Sequence, residues 1–274
     1  MAHPQPFTVL AQSCTIPPLP QTHSQEEDGM ELVKRMESTI ADGGMMPVYV
    51  SEPKAPGKYP VVIVFIEAFG LNGHIKNVAD RFAGEGYVAV APDMYYRNGP
   101  GKAFGYTDLD PAIKILMGMY DAQTHADART ALNFAKALPK AKADAIATTG
   151  YCMGGTISWA TACLNRDVKA AAIYYSGGLI TRQKSVKRPA SPHEYVELLT
   201  APVLGLFGEL DQNPPPADVK EVDALLTKLG KPHKFIIYPG ANHGFNCDER
   251  ASYHKPSADD AWKQVFDWFK LNLN

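Results

Sequence analysis

Residues 145–164 constrain this chain more than any other stretch. An apolar, β-prone run, Ala145-Ile146-Ala147-Thr148-Thr149, leads into Gly150-Tyr151-Cys152-Met153-Gly154-Gly155, and a helix-forming segment from Thr156 to Leu164 follows directly. A strand, a turn with glycines on both flanks and a helix specify a βα unit whose backbone segments approach too closely for β-carbons. Cys152 stands at the apex of that turn, projecting from the carboxyl edge of a sheet. There the free N–H groups and the dipole of a helix start favour a thiolate. A buried structural cysteine in a Gly-rich turn is the plainer alternative, and the rest of the chain has to decide between them.

At 274 residues, with 45% hydrophobic and 20% charged residues, the chain can bury one sizeable α/β core. A formal net charge of −2 gives no field for nucleic acid or an anionic membrane. No apolar run approaches the ~20 residues of a membrane helix. Residues 1–30 read as a Pro-rich arm rather than a signal peptide, and residues 31–274 as one domain. The four cysteines, at 14, 152, 163 and 247, include no C-x-x-C pair, and the histidines form no H-E-x-x-H motif. These spacings predict no zinc site, no disulfide framework and no cofactor, and they suit a reducing cytoplasm.

Residues 31–40 and 45–51 flank Asp42-Gly43-Gly44 and read as an antiparallel hairpin, with Pro47 pointing to an edge position. Val61 to Ile66 is apolar without alternation, as in a strand buried on both faces of a parallel sheet. Strands over 87–91, 170–175, 203–207 and 234–238 then alternate with helices over 74–84, 110–119, 124–138, 217–229 and 257–272. The fold class is therefore α/β, a mostly parallel, doubly wound sheet with an N-terminal antiparallel hairpin. Residues 180–200 interrupt it as a basic, Pro-containing excursion.

The glycine-framed turn matches the nucleophile elbow of the α/β-hydrolases, with cysteine in the place of serine. In that fold an acid and then a histidine follow the nucleophile along the chain. Asp211, in Gly208-Glu209-Leu210-Asp211, and His243, in Gly240-Ala241-Asn242-His243-Gly244-Phe245, each follow a strand in that order. Glu67 closes the first buried strand; it either caps the next helix or looks into the site. In this fold the two oxyanion donors are the N–H groups of Ala68 and Met153.

Ile66-Glu67-Ala68-Phe69-Gly70-Leu71-Asn72, Pro92-Asp93-Met94-Tyr95-Tyr96-Arg97, the elbow and the His243 segment together resemble the dienelactone hydrolase (carboxymethylenebutenolidase) family over roughly residues 31–272. The resemblance implies a lactone or carboxylic ester hydrolase working through a thioester on Cys152, with His243 as base and Asp211 as its partner. It implies that Glu67 takes the thiol proton when substrate arrives and that Arg97 binds a substrate carboxylate. A second family arginine, four residues after the histidine, is replaced here by Cys247, and Arg250 is the nearby substitute. The alternatives are a broad carboxylesterase or thioesterase, and a non-catalytic binding protein of the same fold. The expected partner is a small ester or lactone, with no nucleic acid or membrane, in a monomer or homodimer. The insertion over 181–195 reads as a solvated basic loop, with cover for the site as the other possibility.

Overall fold

The computed structural model describes residues 30–273; the N-terminal arm and Cys14 lie outside the described residues. Strands β1 (Leu32–Ala41) and β2 (Gly44–Pro53) form the hairpin, and β3 (Tyr59–Phe65), α1 (Gly73–Gly84) and β4 (Val88–Pro92) follow. Helices α2 (Leu109–Gly118) and α3 (Asp121–Ala137) lead to β5 (Ala141–Tyr151), α4 (Met153–Leu164) and β6 (Val168–Tyr174). The chain ends with β7 (Val203–Gly208), α5 (Pro216–Lys228), β8 (His233–Tyr238) and α6 (Lys255–Asn272). The eight strands make one sheet in the order β1-β2-β4-β3-β5-β6-β7-β8, parallel from β4 to β8 and antiparallel at the hairpin end.

The hairpin forms where expected, but Pro47 does not mark an edge. The edge strand is β1, and β2 lies between β1 and β4. Pro47 is tolerated because the β2–β4 ladder begins one residue later, at Val48 opposite Pro92. Its carbonyl still accepts a bond from Asp93 N at 2.9 Å, and the donor it lacks falls at the end of the ladder.

Every residue from Val61 to Phe65 and from Val88 to Pro92 is buried, so the central strands have no solvent face. Helix α1 is capped by Asn72, whose side chain accepts from Ile75 N at 3.1 Å, and Gly86, with φ +87°, turns the chain two residues past its last turn. It packs on α6 through Phe82, whose ring lies 5.3 Å from Trp262, 5.6 Å from Phe266 and 5.9 Å from Phe269. Truncating a fully buried phenylalanine of this kind costs about 3–5 kcal/mol, so the amphipathic C-terminal helix is bound firmly to the domain. Because the parallel strands all run one way, the loops after β3, β5, β7 and β8 collect at one edge. That edge is where open α/β sheets place ligands.

Candidate active site

The turn after β5 is strained. Cys152 has φ 56° and ψ −120°, a backbone region that residues with a β-carbon rarely occupy. The glycines show what the strain achieves. A β-carbon on Gly154 would collide with the Phe65 and Ile66 carbonyls, one on Gly150 with the Gly154 backbone, and one on Gly155 with Ser176. Without those carbons the start of α4 presses against the end of β3. The Cys152 N–H bonds the Tyr174 carbonyl at 3.1 Å, and its carbonyl receives Gly155 N at 3.0 Å.

The loop after β3 meets this turn. The Glu67 carbonyl accepts from Gly70 N at 3.1 Å, which turns the Ala68 N–H of the same peptide the other way. Neither that N–H nor the Met153 N–H has a hydrogen-bond partner among the described residues. Tyr95 ties the two segments together: its hydroxyl donates to the Ala68 carbonyl at 2.9 Å and lies 3.3 Å from Met153 Sδ. Tyr95 belongs to no catalytic motif of its own; its signal in the sequence is its place after β4, within the Pro92–Arg97 segment that carries the resemblance.

His243, after β8, meets Asp211, after β7, with Nδ1 2.9 Å from Oδ2. Asp211 is buried, and its other oxygen accepts from Asn213 N at 2.7 Å. Burial opposes charge on the imidazole, but hydrogen bonds and charge from Asp211 and Cys152 outweigh it and push His243 up to about 10. A raised folded-state pKa contributes stability in full below the free value of 6.5 and loses it as pH rises toward about 10. The stability advantage of the parent over His243→Gln is therefore expected to shrink across that window. Urea midpoints measured at both ends check it, and an unchanged advantage contradicts the ionic pairing.

Glu67 is fully buried. Its Oε1 accepts from the Tyr175 hydroxyl at 3.1 Å and lies 3.7 Å from Arg250 Nη1, while Oε2 has no partner among the described residues. Tyr175 is the other non-glycine residue with positive φ among the described residues, at 34°. The Arg250 guanidinium sits over the Phe69 and Tyr106 rings, 5.5 and 5.7 Å from their centroids. Cys247, in the position of the second family arginine, is buried beside Tyr106, and burial pushes its thiol up to about 12.

Arg97 is not brought to this group. It forks onto Asp127 of α3 at 2.9 and 2.8 Å and reaches Asp42 in the β1–β2 turn at 3.6 Å. Tyr96 reinforces the contact, donating to Asp127 at 2.8 Å and accepting from Gly43 N at 3.2 Å. The bidentate pair fastens the hairpin to α3, and Arg97 does not line the crevice beside Cys152.

That crevice, of roughly 470 Å³, opens at Cys152 and Met153. Leu116, Met117, Met119, Ile157 and Ala160 give it an apolar wall, and Lys184, Arg188 and Tyr195 of the 180–200 excursion border it. The excursion is therefore part of the site rather than a detached surface loop. Arg188 fastens it, donating to the Leu116 carbonyl at 2.9 Å. His243 shares a side-chain hydrogen bond with Cys152, but neither it nor Glu67 nor Arg250 is among the residues that line the crevice.

A strained turn after β5, an Asp–His pair from the next loops and an eight-stranded, mostly parallel sheet define an α/β-hydrolase. The sequence model of the Dienelactone hydrolase family matches residues 46–273, and the chain belongs to that family. A Synechocystis protein named "Putative carboxymethylenebutenolidase" is 39% identical over 82% of this chain and 91% of its own length. An Escherichia coli K12 protein of the same name is 36% identical over 92% of each chain. The crystal structure of a "Putative Dienelactone Hydrolase" from Klebsiella pneumoniae superposes with a TM-score of 0.81 at 36% identity, covering 88% of this chain and 99% of that one. The protein is thus a hydrolase acting on ester or lactone bonds. Among the described residues no helix is long and apolar enough to cross a membrane.

Proposed function

We propose that the protein cleaves a small lactone or carboxylic ester by acyl transfer to Cys152. The observation that supports this reading is the strained turn at Cys152, with the His243–Asp211 pair in hydrogen-bond contact with it. A thiolate attacks the carbonyl, and the Ala68 and Met153 N–H groups receive the oxyanion. Losing one such donor typically costs about 10²–10³ in rate. Glu67, whose Oε2 is unengaged, takes the thiol proton. His243 protonates the leaving oxygen as the tetrahedral adduct collapses to a thioester. Acylation also removes the sulfur charge that helped hold the imidazole proton, so His243 becomes able to activate water for deacylation.

Arg250 is the cation placed to receive a substrate carboxylate, since Arg97 is committed to Asp127. A substrate carboxylate bound by Arg250 would draw its guanidinium away from Glu67 Oε1. The test compares kcat/KM for an ester bearing a carboxylate with that for a neutral ester of the same leaving group. The charged-to-neutral ratio is expected to fall about tenfold or more in Arg250→Ala, the scale of one lost charge-assisted bond, and to stay at the parent value in Arg97→Lys. A ratio untouched by Arg250→Ala removes the anionic-substrate reading. The large apolar crevice then favours the second reading, a carboxylesterase or thioesterase for esters with bulkier apolar groups.

A further inference from the structure

The spacing of histidines and cysteines along the chain gives no metal motif, yet the fold assembles a mixed ligand group from residues far apart in sequence. The ligand atoms of His74, Cys247 and Asp248 all lie within 4.8 Å of one another. His74 is in the first turn of α1 and its side chain is only 7% exposed. Its ring makes no hydrogen bond among the described residues, and Nε2 is buried without a partner. The nitrogen that faces Asp248, Nδ1, also makes no hydrogen bond among the described residues and is the one placed to ligate. It points to Asp248 Oδ1 at 3.7 Å, but the Asp248 side chain is 72% exposed, and an ion pair that open and that long contributes little. The Cys247 sulfur is buried against Tyr106, whose hydroxyl accepts from Asn72 Nδ2 at 3.2 Å and so has its own proton free for the sulfur. Asn72 in turn caps α1 through its side-chain oxygen. An imidazole nitrogen, a sulfur with a hydroxyl donor behind it and one carboxylate form a donor set for a borderline-soft cation. Calcium and magnesium call for oxygen ligands.

We propose that His74, Cys247 and Asp248 bind one zinc ion, with solvent completing a tetrahedral shell on the exposed Asp248 side. Binding exchanges the Cys247 S–H for an S–Zn bond and releases one proton to solvent; nothing is oxidised or reduced. The ion joins the start of α1 to the segment that carries His243 and Arg250, and the Tyr106 hydroxyl supports the thiolate from behind.

Cobalt(II) is the spectroscopic probe, and Cys152→Ser is the background, so that the nucleophile's sulfur makes no signal. The expected result is one cobalt bound per chain with a thiolate-to-cobalt charge-transfer band, and a rise in Tm with zinc. Adding Cys247→Ser is expected to abolish the band, and adding Asp248→Asn or His74→Gln to weaken binding at least about tenfold. No band in the Cys152→Ser background, or a band that survives Cys247→Ser, overturns the site. If Cys247→Ser does not fold, the exposed Asp248→Asn decides: an affinity equal to the background's overturns it equally.

Discussion

Cys152→Ala is expected to lower ester hydrolysis by about 10⁴-fold or more, the scale on which removing a nucleophile from a cooperating group acts, while Tm stays close to the parent value. The sulfur is half-buried at the mouth of a crevice, so its loss opens no sealed cavity. Alanine also inherits the same positive φ, so the backbone strain is unchanged. Rates with a neutral aryl ester and a thermal melt check both halves. An alanine variant hydrolysing at the parent rate would move the chemistry elsewhere. A variant that loses activity and Tm together would report a folding defect instead.

Asp211→Asn is expected to lower kcat by about 10³–10⁴-fold with little change in the fold, and the reason is a hydrogen-bond direction. One Asp211 oxygen accepts from Asn213 N at 2.7 Å and the other faces His243 Nδ1 at 2.9 Å. Asparagine can keep the first bond only by turning its NH₂ toward the imidazole. Nδ1 must then accept, the ring proton moves to Nε2, and the nitrogen that should receive a proton already carries one. Because the imidazolium also loses its counter-charge, the raised pKa of His243 should fall. The pH–rate profile of the variant tests this beside the rate itself, and a kcat near the parent value contradicts the assigned role of Asp211.

Much of this was legible because the controlling forces are local. Gly150, Gly154 and Gly155 announce a close backbone approach whatever surrounds them. The unbroken apolar runs at 61–66 and 87–91 can only be central parallel strands once helices alternate with them. The positions of Asp211 and His243 just past strands then place them on the same edge as Cys152. What sequence did not reveal depends on partners remote in the chain. Arg97 reads as a substrate ligand, yet Asp127, thirty residues on, engages Nε and Nη2 of its guanidinium. Pro47 looked like an edge marker, yet the ladder it would have broken starts one residue later. Charge in the 181–195 insertion suggests a solvated loop, with cover for the site as the alternative, and the Arg188 bond to Leu116 lays that segment along the crevice. Tyr95, bridging Ala68 and Met153, acts through a contact that no periodicity encodes.

The central claim is the thioester, and trapping it tests the claim most directly. The protein is mixed with an aryl pivalate, whose bulky acyl group slows deacylation, quenched in acid during the burst of phenol release, and digested for mass spectrometry. One pivaloyl group per chain is expected on the peptide containing Cys152, removed by neutral hydroxylamine as a thioester should be. Phenol release with Cys152 unmodified, or with the acyl group on another residue, would contradict it.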